Sequence, residues 1–447
     1  MNKREFLKAS GVTIAGSMLS RILNGQSAAA PRTNWAGNYT YSAPNLLEPQ
    51  SAGEIQSAVR GHRHLRALGS RHSFNGIADD AENQIAPAAL KSIEIDSHAG
   101  TVAVGAGVRY GDLAPVIDAS GFALHNLASL PHISVAGAIA TGTHGSGMQN
   151  GNLATAVTGV EFVAANGELV RLSRASDPEV FAGAAVHLGA LGVLTRVTLH
   201  LQPTYQVEQT VYLDLPFAAL EHHLTDVFGS GYSVSLFTDW QHSRATQVWV
   251  KRRTDRSEPP LGPDFYGAHR ATVKMHPITG HDATPCTEQL GIPGPWYERL
   301  PHFRMNFTPS SGRELQTEYF VPLDRGYEAI RAVESLRDRI TPHLFVTELR
   351  TIAADNLWMS MAHERPSLAI HFTWKPEWPA VRQILPEIEA KLAPFGPRPH
   401  WAKLFTISGP ALERQYPRMG DFRKLAAKYD PEGKFRNEFL QANVYAG

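Results

Sequence analysis

Two regions of the chain concentrate groups suited to chemistry. Gly69-Ser70-Arg71-His72-Ser73-Phe74 sets an imidazole in a polar loop directly after a short apolar stretch, Leu65 to Leu68. Further on, Ser134 to Gly147 is built mostly from Gly, Ala, Ser and Thr, and includes Gly137, Thr141, Gly142, Thr143, His144 and Gly145. Without Cβ bulk, backbone N–H groups can approach a pyrophosphate closely, and Ser and Thr hydroxyls add donors. A glycine-rich surface loop or a barrel corner accounts for the same residues equally well. In the C-terminal half, Glu348 and Arg350 stand two apart on an expected strand and so share a face, as do His371 and Thr373 on another. Lys403 follows His400-Trp401. A strand face bearing Glu and Arg is ordinarily solvated or a structural ion pair, and residue types alone leave both readings open.

The elements that must position these groups read as a mixture without regular βαβα alternation, which predicts an α+β fold. Ser51 to Val59 predicts a helix, with Ser51 as cap and Glu54 at the capping-box position. Tyr110 to Ala119 predicts an amphipathic helix ended by Gly121. Val157 to Ala164 and Glu168 to Leu172 read as strands joined by an Asn166-Gly167 turn, and Thr101 to Val104 and Val193 to Leu201 as further strands. Beyond Pro203 the strands lengthen: Gln206 to Leu213, Val234 to Trp240, Gln247 to Lys251 and Gln316 to Val321. Leu323 to Ile340 and Val381 to Leu392 predict helices, and Arg253 to Pro301, rich in Pro, Gly and His, predicts a surface excursion.

Composition narrows the function. The chain has 447 residues, enough for two or three domains, and 42 basic residues balance 42 acidic ones, so it lacks the basic excess that nucleic acid or an anionic membrane demands of a partner. The single cysteine, Cys286, cannot form an internal disulfide and is expected as a small buried hydrophobe. Twenty histidines occur without metal-ligand spacing, so no metal is expected. No G-x-S-x-G, H-E-x-x-H, Walker A or G-x-G-x-x-G motif is present, which removes the signatures of serine hydrolases, zincins, P-loop enzymes and Rossmann dehydrogenases. Residues 1–30 read as an export signal: Lys3-Arg4, a short apolar run from Gly11 to Leu19, and small residues Ser27 to Ala30 for cleavage. Lys3-Arg4-Glu5-Phe6-Leu7-Lys8 is similar to the twin-arginine signal, with Lys3 in place of the first arginine. A periplasmic or extracellular location is expected.

Taken together, the His72 loop and the Ser134–Gly147 segment resemble the FAD-binding domain of the vanillyl-alcohol oxidase and p-cresol methylhydroxylase superfamily. The resemblance sharpens through Ala128 to Ser134, Val234 to Trp240, Gly294-Pro295-Trp296, Glu348-Leu349-Arg350-Thr351, His371-Phe372-Thr373-Trp374 and His400-Trp401-Ala402-Lys403, which look like alditol (xylitol) oxidases. It runs in order over nearly the whole chain after Asn34. The resemblance implies a flavin domain over residues 31–205, a cap over 206–402 whose sheet covers the flavin ring, and a segment from 403 to 447 returning to the flavin domain.

The resemblance also implies residue roles. FAD is bonded covalently to His72, with Gly69, Ser70, Arg71, Ser73, Ser134, Gly137, Thr141, Gly142, Thr143, His144, Gly145, Val193 and Asn437 around the cofactor. Arg71 stands where relatives can carry glycine. Ser129, Gln316, Glu348, Thr373, Arg350 and Lys403 bind a small polyol; Arg350 and Lys403 hold its C1 oxygen, and His371 or Lys403 takes the proton. The expected reaction oxidises C1 to the aldose and reduces O2 to H2O2, in a monomer. Aldonolactone oxidases, which share the E-x-R and H-W-x-K patterns, are the nearest alternative; Ser129 and the Val234–Trp240 strand favour alditols. A polyol dehydrogenase with another acceptor and an exported binding protein without turnover are the others.

Overall fold

A computed structural model describes residues 31–257 and 260–446, and the expected export signal lies outside them. The helix α1 (Ala52–Gly61) starts as expected, with the Glu54 N–H donating to Ser51 Oγ at 3.2 Å. Its Glu54 carboxylate reaches back one residue further than a capping box, accepting from the Gln50 N–H at 2.9 Å. The helix α2 (Tyr110–Ala119) has its expected bounds, and Gly121 supplies the left-handed turn beyond it at φ 84°.

Three small parallel strands, β1 (Asn45–Leu47), β2 (Arg66–Ala67) and β3 (Asn83–Ile85), pair in the order β1-β3-β2. Five antiparallel strands follow: β4 (Ile93–Asp96), β5 (Thr101–Gly105), β6 (Val157–Val163), β7 (Leu169–Ser173) and β8 (Val193–His200), ordered β4-β5-β8-β6-β7. Gly167, at φ 80°, makes the expected turn between β6 and β7. The Ser134–Gly147 segment contains a short helix, Val135–Ala140, in place of a plain loop.

A ten-stranded antiparallel sheet carries the rest. Its principal strands are β9 (Gln206–Pro216), β10 (Ser233–Thr238), β11 (Arg244–Arg253), β12 (Leu315–Pro322), β13 (Leu344–Ile352) and β14 (Ser367–Trp374), ordered β9-β11-β10-β13-β14-β12. Alternation divides its two faces. Val234, Leu236, Val248, Val250, Leu349, Ile370 and Phe372 join one buried cluster with Leu220 of α3 (Phe217–Gly229), Ile330 of α4 (Gly326–Glu334) and Leu385 of α5 (Trp378–Leu392). Residues one position away on each strand point to the opposite face. A second large cluster joins the five-stranded sheet, α2, Trp296, Leu357 to Ala362 and the C-terminal helices.

Two expectations need correction. The helix expected from Leu323 to Ile340 is a 3₁₀ turn, α4 and a short Arg337–Ile340 helix. The break falls at Ser335, whose Oγ donates back to the Ala332 carbonyl at 2.6 Å, a local bond that competes with helix continuation. The Arg253–Pro301 stretch is irregular but not merely superficial: Ile278, Cys286, Gln289 and Trp296 are buried, and Trp296 Nε1 donates to Asp118 at 3.1 Å. Cys286 is the buried free thiol that was expected. Among the described residues, no helix is long and apolar enough to cross a membrane.

Candidate active site

Strand register assembles the polar face of the large sheet. Phe237 on β10 pairs with Glu348 on β13, Glu348 with His371 on β14, and His371 with Glu318 on β12. One step along, Gln316 pairs with Thr373, and Arg350 lies opposite Ser235. The same-face expectation for Glu348 with Arg350, and for His371 with Thr373, therefore becomes a single row across four strands. Glu318 is its centre, 1% exposed, with Arg350 Nη2 at 2.6 Å, His144 Nε2 at 3.1 Å and His371 Nδ1 at 3.4 Å. Arg350 Nη1 donates to Ser129 Oγ at 3.1 Å, and Glu348 Oε2 stands 3.6 Å from Arg350 Nε.

Lys403 reaches the row from a different segment. Asn75, three residues after His72, donates through Nδ2 to the carbonyls of Trp401 at 2.9 Å and Lys403 at 2.7 Å. The Phe74 N–H donates to Ala402 O at 2.7 Å. The His72 loop thus holds the Lys403 loop. Lys403 Nζ donates to Gln316 Oε1 and lies 4.8 Å above the Phe74 ring.

One cavity is lined by this row and by the flavin-type loops. Its wall contains Gly69, Ser70, Arg71, His72, Ser73, Ser129, Ser134, Gly137, Thr141, Thr143 and His144, and also Gln316, Glu348, Arg350, His371, Thr373 and Lys403. The two loops meet through glycines: a Cβ on Gly137 would stand 2.8 Å from Ser134 Oγ, and one on Gly69 would stand 3.6 Å from the Gly137 Cα. Ser70 Oγ accepts from the Ser134 N–H at 3.0 Å and lies 3.2 Å from His72 Nδ1.

The cavity wall fits a bound flavin nucleotide. His72 Nε2, His187 Nε2 and Ser134 Oγ are buried without a protein partner beside it, as expected of groups that meet a polar ligand. Trp35 stacks on the His72 ring with centroids 5.4 Å apart. Sequence reasoning missed His187, Trp35, Glu318 and Arg66, the last of which spans Ile77 O at 2.7 Å, Phe435 O at 2.8 Å and Gly189 O at 2.9 Å. A signal existed for Glu318, which stands two residues from Gln316 on the same strand.

Four expected cofactor contacts lie outside the cavity wall. Gly145 is wedged where a Cβ would meet Leu127 O at 2.3 Å, and Gly142 makes a turn at φ 70°. Val193 packs in a cluster with Ile55, Val59 and Phe435, while its neighbours Gly192 and Leu194 line the cavity. Asn437 Nδ2 staples the C-terminal segment to the carbonyls of Gly76 at 2.9 Å and Asp79 at 2.8 Å.

The electrostatics follow from burial and the ion pairs. Burial opposes ionisation of Glu318 and Glu348, but Arg350 wins, aided by His144 and His371 for Glu318 and by His302 for Glu348, so both carboxyls are held well below the ordinary range. Burial lowers His371 despite Glu318 and keeps the ring neutral. Burial also brings Lys403 down to about 8, with Glu318 pulling it up and Arg350 pushing it down. His72 is pushed down to about 3, by burial and then by His132 and Lys403, leaving a neutral imidazole with an available lone pair. Ligand atoms of His144, Glu318 and His400 lie within 4.8 Å of one another, but a cation there would adjoin the Arg350 guanidinium 2.6 Å from Glu318.

Known proteins resemble this chain in sequence and fold. The FAD binding domain family matches residues 43–173, and the D-arabinono-1,4-lactone oxidase family matches residues 307–443. The chain is 48% identical to an alditol oxidase of Streptomyces sp. over 92% of its length and 98% of that protein. It is 25% identical to the L-gulonolactone oxidase of Mus musculus, again over 92% and 98%. The fold resembles cholesterol oxidase from B. sterolicum with a TM-score of 0.74 at 15% identity, covering 93% of this chain and 96% of that one. By sequence, cavity and fold, the chain belongs to the alditol oxidase family within the FAD-binding superfamily of vanillyl-alcohol oxidase and p-cresol methylhydroxylase.

Proposed function

We propose that the protein oxidises the C1 hydroxyl of small alditols such as xylitol and sorbitol to the aldose, with FAD attached to His72 and O2 as acceptor. The observation that carries this reading is the shared cavity, in which His72 faces the same space as Arg350, Glu348, His371 and Lys403. The chemistry that FAD supplies when bound is uptake of the C1 hydride and passage of the electrons to O2, giving H2O2.

The protein's own groups do the rest. Arg350, steadied by Glu318, and Lys403, steadied by Gln316, hold the C1 oxygen and stabilise negative charge on it. His371 is the proton acceptor that the geometry favours over Lys403. Its Nδ1 stands 3.4 Å from the Glu318 carboxylate, and a neutral ring protonated there would keep its lone pair on Nε2, beside Thr373 Oγ1 at 3.3 Å. Lys403, at about 8, stays largely protonated at neutral pH and serves as a charge. Ser129, Glu348 and Thr373 offer partners to the remaining hydroxyls, and a substrate lacking one leaves a buried polar group unpaired. Ser129 inserted against Arg350 favours alditols over aldonolactones in this reading. Residues 31–205 with 403–447 are read as the flavin domain and 206–402 as the cap. Residues 1–30 are read as a twin-arginine-type signal exporting the loaded, monomeric enzyme.

The test is acid-denatured protein on a gel viewed under ultraviolet light, beside His72→Ala, with peroxide release measured on xylitol and sorbitol. Fluorescence that stays with the wild-type band and leaves the variant supports the linkage. A colourless wild type that takes up no FAD overturns the whole reading.

A further inference from the structure

Beside Glu348 runs a buried line of groups that the reaction scheme leaves unused, and its first member, His302, also lines the cavity. His302 Nε2 stands 2.8 Å from Glu348 Oε1, and His302 Nδ1 stands 3.0 Å from Lys251 Nζ. Lys251 lies on β11, 1% exposed, and its Nζ also donates to Leu300 O at 2.5 Å and Pro301 O at 3.2 Å. His302 is 4% exposed.

The hydrogens on this line are determined by its ends. A carboxylate only accepts, so His302 Nε2 carries the proton and donates to Glu348. Nδ1 is then a lone pair that needs a donor, and Lys251 is the group within reach. The Lys251 ammonium has three N–H groups for three acceptors, the Leu300 and Pro301 carbonyls and His302 Nδ1, although burial draws Lys251 down to about 7. One Glu348 oxygen is thereby engaged by His302. The other stands 3.6 Å from Arg350 Nε, and Glu348 lines the cavity. The same turn also holds Ser129: the N–H groups of His302 and Phe303 both donate to Ser129 O, at 2.8 Å and 3.2 Å.

We propose that Lys251 and His302 form a positioning pair that locks the imidazole tautomer and aims Glu348 at a substrate hydroxyl. This rests on the polyol reading of the site. The pair touches no reacting atom. It sets affinity for the polyol chain, and the limiting rate of flavin reduction is left largely to Arg350, Lys403 and His371.

The experiment uses flavin-loaded protein mixed anaerobically with xylitol, reading flavin bleaching for an apparent Kd and a limiting rate. Lys251→Met and His302→Leu should each raise Kd about 10- to 100-fold, the range for a lost bond to a buried charge, with a far smaller change in limiting rate. Added to Glu348→Ala, Lys251→Met should weaken binding no further. Two conservative variants separate positioning from folding. His302→Gln keeps a donor where Nε2 stood and should recover most of the affinity; His302→Asn keeps an acceptor for Lys251, loses that donor, and should bind as poorly as His302→Leu. Equal Kd values for the Gln and Asn variants, or a full extra loss for Lys251→Met in the Glu348→Ala background, would overturn the pair. A wild type that no polyol bleaches overturns the polyol reading and the proposal with it, whereas bleaching unchanged across the variants overturns the pair alone.

Discussion

Glu318 was absent from the residues expected to form the site, yet three of its partners belong there. Replacing it by Gln removes a charge while keeping an oxygen of similar reach for Arg350. The effect on Lys403 can be worked out. Glu318 stands two residues from Gln316 on β12, and Lys403 Nζ is bonded to Gln316 Oε1. Two residues of strand span about 7 Å. Unit charges at that distance interact by about 2 kcal/mol at an effective dielectric constant near 20, or between one and two pH units. Glu318 favours the ammonium, so its loss moves Lys403 downward from about 8. The expected outcome is an alkaline limb of kcat/KM that begins near pH 8 in the wild type and shifts down by about one unit or more in Glu318→Gln. Peroxide release from xylitol between pH 5 and 10 measures it. A limb that stays put, or moves up, would refute Lys403 as the group titrating there under control of Glu318.

Other outcomes follow from the same geometry. Lys403→Arg keeps a cation that does not titrate in this range, so its alkaline limb near pH 8 should vanish even if the rate falls. Glu318 and Glu348 have depressed values in the folded protein, so they stabilise it fully above the unfolded value of about 4.5 and progressively less as pH falls below that; unfolding midpoints should drop below pH 5 more steeply in the wild type than in a Glu348→Gln variant. Gly145→Ala should destabilise by roughly 1–3 kcal/mol, because its Cβ would meet Leu127 O at 2.3 Å, and denaturant unfolding reads this directly.

Much of the site was legible because strands alternate. Glu348 with Arg350 and His371 with Thr373 required only a period of two, and Gln316 pointed equally to Glu318. Register was not legible: nothing local tells that His371 pairs with both Glu348 and Glu318, since that depends on strands far apart in sequence. Lys251 read as the charged end of a strand, where a lysine is ordinarily solvated; three acceptors from the Leu300–His302 turn bury it instead. That turn closes the Pro- and Gly-rich stretch, whose composition signals a loop and not what the loop packs against. Among the flavin-type residues, Val193 and Asn437 show the same limit, since composition does not say which way a side chain packs. Each belongs to the right segment, but its side chain packs or staples the fold while neighbours such as Gly192 and Leu194 reach the cavity.

The most direct test of the account is anaerobic titration of the purified, flavin-loaded protein with xylitol and, separately, with an aldonolactone of the L-gulono-1,4 type. Bleaching by xylitol with one equivalent of aldose formed per flavin, and none by the lactone, is the predicted result. Bleaching by the lactone with xylitol inert would contradict the assignment of Ser129, Glu348 and Thr373 to a polyol.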